Sequence, residues 1–135
     1  MVRNISITIS RRARQVEARY LKYKSKHPEC TFCKIGKKGN GNEIIDETKH
    51  FWIVTNLFPY ELWDGRKVLT HLLVVPKDHF HNIDEMTHSE RITLIEILGR
   101  YEKRGYSFYG RAPQNASRSM EHQHTHLIKV EELGE

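Results

Sequence analysis

The chain has 135 residues, 38% of them hydrophobic and 29% charged, and a formal net charge of +5. This length suits one domain with its own core, and no apolar run approaches the roughly 20 residues of a membrane-spanning helix. The N-terminus lacks the apolar block of a secretory signal. The two cysteines, spaced C-x-x-C, do not make a disulfide framework, so a reduced, cytoplasmic compartment is expected.

The charge is uneven: residues 1–40 carry a balance of +9 and the rest of the chain −4. Such a basic segment can contact nucleic acid or an anionic substrate, or be a solvated helix face, and the second reading is favoured. After a frayed start at residues 1–9, the run from Ser10 is rich in helix formers. Val16, Tyr20 and Tyr23, with Ala13 and Leu21 nearby, form its buried stripe, and Pro28 ends it. Cys30-Thr-Phe-Cys33 follows, then a Gly/Asn-rich loop over 34–42 that lacks the G-K-[ST] of a phosphate-binding P-loop.

Segments 43–47 and 50–55 read as a hairpin around Thr48-Lys49. Asn56–Tyr60 leaves the sheet, and 61–67, with Asp64-Gly65, reads as a loop. Thr70–Pro76 is a nearly continuous apolar strand of the kind found at a sheet centre, with Lys77-Asp78-His79 as its exit. Thr87 and Glu90 form a capping box. The helix they open runs to about Arg104, burying Ile92, Ile95, Leu98 and Tyr101, and stops at Gly105. A strand over Tyr106–Arg111 and a polar loop over 112–121 lead to the final strand, and an acidic tail closes the chain. The order of elements predicts an α+β domain with an antiparallel sheet.

The final strand, His122-Gln-His-Thr-His-Leu-Ile128, is the densest chemical signal in the chain. Alternation places His122, His124 and His126 on one face and Gln123, Thr125 and Leu127 on the other. Three imidazoles on one face need partners for six ring nitrogens, and neutral imidazole is a nucleophile, proton carrier and metal ligand. A solvated His-rich strand is the bland alternative. Cys30 and Cys33 fit a metal site, a redox pair or two buried thiols equally well.

The spacing of these histidines resembles the His-φ-His-φ-His-φ-φ signature of the histidine triad (HIT) family of nucleotide hydrolases and transferases. The resemblance covers roughly residues 30–130, with Gln123 and Thr125 standing where the family usually has apolar residues. It implies a HIT-like fold: an antiparallel β-sheet with a long helix, here with an additional N-terminal helix. Residues 1–29 would be a basic N-terminal extension and 30–135 the HIT domain. By resemblance to zinc-containing members, Cys30, Cys33, the His71 that opens the His71–Pro76 run, and His122 would hold one structural Zn²⁺.

The resemblance also implies that His124 is a nucleophile toward the α-phosphorus of a purine nucleotide. His126 would contact the phosphoryl oxygens and Ser119 the phosphate or leaving group. Asn56 would take the ribose hydroxyls, and Asn115 matches the family's asparagine upstream of the triad; Arg118, where the family often has Gln or Gly, would add a positive contact or point to solvent. Phe32, Ile35, Phe51, Ile53 and Leu73 either line a purine pocket or are plain core. His79, His81 and His88 are expected at the surface or as caps, and His50 at a strand end.

The expected activity is hydrolysis or transfer at nucleoside phosphoramidates or dinucleoside polyphosphates, by a homodimer without membrane association. Two alternatives remain. One is a zinc-stabilised nucleotide-binding module with little catalysis. The other is an enzyme that deadenylates nucleic-acid 5′ ends, with the basic segment as its anchor, which is not favoured.

Overall fold

A computed structural model of the chain describes residues 13–26, 29–115, 118 and 120–132. Helix α1 spans Arg14–Lys26 and α2 His88–Lys103. The strands are β1 (Ile44–Glu47), β2 (Phe51–Thr55), β3 (Leu62–Trp63), β4 (Arg66–Pro76), β5 (Ser107–Tyr109) and β6 (Thr125–Val130). They form one antiparallel sheet in the order β1-β2-β4-β6-β5, with β3 paired to β4.

The apolar run of β4 occupies the centre, between β2 and β6, because both of its faces are covered. Leu72 and Val74 point to one face and join Phe51, Ile53 and Leu127 beneath Leu94, Ile97, Leu98 and Tyr101 of α2. Leu73 and Val75 point to the other face, where Val54, Phe32 and Ile35 pack. The sheet is thus a wall with a helix behind it and a chemical face in front.

The long helix begins as expected. Thr87 Oγ1 accepts from Glu90 N at 3.2 Å, and Glu90 Oε1 accepts from Thr87 N at 2.7 Å. It ends in a Schellman motif: Tyr106 N donates to Tyr101 O (3.1 Å) and Gly105 N to Glu102 O (3.0 Å), with Gly105 at φ +91°. Its buried face differs from the expected one. Leu94, Ile97, Leu98 and Tyr101 fall at i, i+3, i+4, i+7 and form the stripe, whereas Ile92 and Ile95 are 49% and 67% exposed.

Two other expectations change. The segment read as a loop over 61–67 is a hairpin: Asp64 (φ 57°) and Gly65 (φ 73°) form the two-residue turn that joins β3 to β4. The central strand therefore starts at Arg66, and His71 lies in its middle. Helix α1 buries Tyr20 while Leu21 faces solvent, and Tyr20 and Tyr23 both meet the ring of Phe58, at 5.3 and 5.2 Å. None of the helices among the described residues is long and apolar enough to cross a membrane.

The α2 stripe gives a stability prediction. Ile97→Ala removes a fully buried side chain and is expected to cost about 2–5 kcal/mol, whereas Ile95→Ala stays within about 0.5 kcal/mol. Urea unfolding of the two variants checks this; equal losses would place the core stripe elsewhere on the helix.

Candidate active site

The pairing of β4 with β6 sets the geometry. Leu73 stands opposite His126 and His71 opposite Ile128, so His71 and His126 are diagonal neighbours on the front face. Leu127 points back into the core beneath α2. Regular strand structure begins only at Thr125. His122–His124 run into it with Gln123 N bonded to Phe80 O at 2.7 Å, outside the β4 ladder.

A cluster of four potential metal ligands lies at the start of this run: Cys30, Cys33, His79 and His122, their ligand atoms all within 4.8 Å of one another. Cys30 and Cys33 Sγ are 3.4 and 3.5 Å from His122 Nδ1; His79 Nδ1 is 3.2 Å from Cys33 Sγ and 3.1 Å from His122 Nδ1. The expected ligand His71 is not part of this cluster; His79, exposed as expected, takes its place. Topology is the reason. In an antiparallel pair the start of β6 adjoins the end of β4, where His79 leaves the sheet. His71 pairs six residues farther along, about 20 Å of extended chain from His122.

His122 is oriented for this role. Its Nε2–H donates to Pro76 O at 2.8 Å, which leaves the Nδ1 lone pair facing the thiols. Burial is the main cause that holds its pKa below the ordinary value, so it is a neutral ligand. Burial, then the adjacent Cys30, push the Cys33 thiol up to about 11; a bound cation would reverse that shift and favour thiolates. Two sulfurs and two imidazole nitrogens can hold one metal ion here.

The next histidine is set up differently. His124 Nδ1 lies 2.9 Å from His122 O. The carbonyl can only accept, so Nδ1 carries the proton and Nε2 keeps its lone pair. His124 is buried, and that burial lowers its pKa to about 4. The imidazole is neutral at neutral pH.

A second proton order runs through His71 and His126. Tyr60 N donates to His71 Nδ1 at 3.1 Å, so the His71 proton sits on Nε2 and is given to His126 Nδ1 at 2.8 Å. His126 in its neutral form then carries its own proton on Nε2. Asn56 Nδ2 also lies 3.3 Å from His71 Nε2, but both are donors there, so the 2.8 Å partner takes the bond. His71 is therefore a positioning residue for His126.

These side chains open on a cavity of about 300 Å³ lined by His122, His124, His126, Phe32, Leu73, Asn42 and Asn56, among others. Asn56 Oδ1 accepts from Phe58 N at 2.9 Å. Asn42, part of the cavity wall, donates through Nδ2 to Thr55 O at 2.9 Å, while its buried Oδ1 has no partner among the described residues. Sequence reasoning missed Asn42, since one Asn in a Gly/Asn-rich loop carries no signal.

Of the apolar residues considered for a purine pocket, Phe32 and Leu73 line the cavity and Ile35 packs behind them. Phe51 and Ile53 belong to the core on the opposite face. Tyr20, Tyr23 and Lys24 bring α1 to the cavity wall.

The loop residues divide. Arg118 lines the cavity, but its guanidinium serves three backbone carbonyls: Met120 O (2.9 Å), Glu121 O (2.8 Å) and His81 O (3.0 Å). It fastens the loop rather than offering a fork to substrate. Asn115 is exposed and away from the cavity, and its carbonyl accepts from Arg118 N at 2.9 Å. Ser119 lies outside the described residues.

The two histidines exchanged at the metal cluster are separable by experiment. His79→Ala is expected to lower the metal content of the purified chain, and His71→Ala to leave it near the wild-type level. Metal analysis of both variants decides between them; loss of metal with His71→Ala alone would restore the original assignment.

No family model matches the chain. An uncharacterized HIT-like protein of Methanocaldococcus jannaschii is 27% identical over 106 residues, covering 73% of this chain and 77% of that protein. Among solved structures, a HIT family hydrolase from Clostridium thermocellum aligns at 25% identity with a TM-score of 0.60, covering 79% of this chain and 95% of that one. A hypothetical histidine triad nucleotide-binding protein from Sulfolobus tokodaii aligns at 24% identity and a TM-score of 0.60, over 78% and 71% of the two chains. The sheet order, the three histidines on one face and these similarities together support a histidine triad family protein.

Proposed function

We propose that the chain is a nucleotide hydrolase or nucleotidyltransferase that attacks the α-phosphate of a nucleotide through His124. The observation that carries this reading is the fixed tautomer of a neutral, buried imidazole: Nδ1–H on His122 O, with Nε2 left for attack. The hydrolase name of the Clostridium thermocellum relative supports the same class.

The chemistry balances in two steps. The Nε2 lone pair forms the N–P bond as the bond from phosphorus to the leaving group breaks, and that group departs with the electron pair. Water then attacks phosphorus, gives up a proton, and the N–P electrons return to His124; a different acceptor in place of water gives transfer. His126, its proton on the outer nitrogen, donates to the phosphoryl oxygens as charge develops. Asn56 offers polar contacts to ribose or base beside Phe32 and Leu73.

The ion we assign to the cluster is Zn²⁺. Tetrahedral zinc with ordinary Zn–S and Zn–N bonds would separate S and N by about 3.5 Å and two nitrogens by about 3.3 Å. The cluster's 3.2–3.5 Å and 3.1 Å edges fit that set. With four protein ligands the ion would be structural, fastening the Cys30–Cys33 segment and the β4 exit to His122. We also infer a homodimer: β5 is a sheet edge and Phe108 on it is exposed, as are Ile92 and Ile95 of α2.

A second reading draws on α1, which carries Arg14, Arg19, Lys22, Lys24 and Lys26 against Glu17 and reaches the cavity wall. A nucleic-acid 5′ end would profit from that charge. Binding of a 5′-adenylated oligonucleotide that falls steeply with added salt would favour this reading over a small nucleotide.

His124→Ala is expected to lose about ten-thousand-fold in turnover of adenosine phosphoramidate or diadenosine tetraphosphate, as for removal of a nucleophile. Nucleotide binding should persist. Quenched reactions with a label at the α-phosphorus should yield an acid-labile, base-stable adduct on wild-type protein. Near wild-type turnover in the variant, or an adduct on another residue, would overturn the mechanism.

A further inference from the structure

The imidazole of His126 is held in its own plane by one bond. His71 Nε2–H donates to its Nδ1 at 2.8 Å, which fixes where that nitrogen lies. The bond says less about the tilt of the ring, because χ2 of histidine is a soft torsion with broad wells. Hydrogen bonds also tolerate a range of angles. The Nε2–H lies across the ring from this anchor, so a tilt moves the proton away from the oxygens it serves.

Two aromatic rings take up that freedom. Tyr109 on β5 stands directly opposite His126 on β6, so both side chains leave the sheet on its front face and meet. Their rings stack with centroids 4.5 Å apart and planes 16° apart. Trp63 stacks on Tyr109 in turn, at 4.4 Å and 25°. One face of a phenol ring has no room for two rings at that spacing, so Tyr109 lies between the indole and the imidazole. The column of three rings ends on His126.

Strand β5 has only three residues and lies at the sheet edge, a weak hold for the Tyr109 ring. Its hydroxyl is fastened instead, donating to the Tyr60 oxygen at 2.8 Å and accepting from Arg111 Nη2 at 3.2 Å. Trp63 backs the ring from β3, which β4 and β6 separate from β5. The Asp64-Gly65 turn carries it there, with Trp63 paired to Arg66. Neither residue of β3 is buried, so core packing does not account for this short hairpin. Its contact with the column does.

We propose that Tyr109 and Trp63 are positioning residues for His126: their stack sets the plane of its imidazole and thereby the aim of its Nε2–H at the phosphoryl oxygens. His71 fixes one atom of the ring and the column fixes the plane, which leaves a single orientation. The proposal deepens the reading of His126 as donor and rests on it for catalysis, though not for the ordering of the ring.

The test compares Tyr109→Leu, Tyr109→Phe and Trp63→Leu on adenosine phosphoramidate. Tyr109→Leu should lower kcat about 100-fold with KM near the wild-type value, the scale of misplacing a group by about 1 Å. Tyr109→Phe keeps the ring and should recover about tenfold of that loss. Trp63→Leu leaves the Tyr109 hydroxyl bonds in place and should fall between wild type and Tyr109→Leu. In a His126→Ala background Tyr109→Leu should cost little more, because nothing is left to position. Proton NMR reads the stack itself. The His126 ring protons, assigned by their absence from the His126→Ala spectrum, should move downfield in Tyr109→Leu as the current of the stacked ring is removed.

Wild-type kcat in Tyr109→Leu would overturn the proposal. So would an equal loss in Tyr109→Phe, which would place the effect in the hydroxyl bonds, or a full further loss in the His126→Ala background, which would mark a general structural effect. Wild-type turnover in His126→Ala would remove the donor reading instead. The proton shift then decides the stack alone: unmoved protons overturn it.

Discussion

The register of β4 against β6 is the constraint on which the site depends. With Leu73 opposite His126 and His71 opposite Ile128, the front face receives both histidines and the back face receives Leu72, Val74 and Leu127 for α2. A slip of one residue would exchange the faces. It would turn imidazoles toward an apolar helix and Leu127 toward the cavity. The hydrophobic core and the geometry of the candidate site are therefore enforced by the same ladder, and a slip in register would disrupt both.

Desolvation does the chemical tuning on that face. Burial holds the imidazoles of His122 and His124 below their ordinary pKa, and each then has one lone pair to offer. Which nitrogen offers it is decided by a backbone carbonyl in both cases, Pro76 O for His122 and His122 O for His124. The two neighbouring histidines present opposite ring atoms, Nδ1 toward the thiols and Nε2 toward the cavity. One residue type on one strand can thus offer a metal ligand at one position and a free Nε2 lone pair at another, because the carbonyls select different tautomers.

Much of this was legible in the sequence where the signal was local. The capping box at Thr87–Glu90, the Gly105 stop, the first hairpin and the common face of the three histidines follow from spacing and turn chemistry, and the structure keeps them. The misses came from longer-range geometry. Ile92 and Ile95 suit a buried stripe as well as Leu94 and Ile97 do until the sheet chooses a side. Asp64-Gly65 was a strong hairpin signal, but the strand on its near side has only two residues. His71 lies within β4 and His79 just past its end, and only the antiparallel pairing of β4 with β6 tells which one meets His122. Tyr60 and Tyr109 are ordinary residues in sequence and meet His126 only through tertiary stacking.

The Cys/His cluster and His124 are joined by a single residue. His122 donates Nε2–H to Pro76, turns Nδ1 toward Cys30, Cys33 and His79, and presents its own carbonyl to His124. Fixing the His122 ring from both nitrogens also limits the rotation of its backbone, and that backbone holds the carbonyl that assigns the His124 proton. A ligand shell around His122 would therefore act on catalysis without touching substrate, by narrowing the positions available to one carbonyl oxygen. Similar indirect control holds on the other side, where the Tyr60 amide fixes the His71 tautomer and His71 fixes that of His126. The reacting face is ordered by backbone groups two steps removed from it, which is why its geometry depends on the fold around β4 as much as on the histidines themselves.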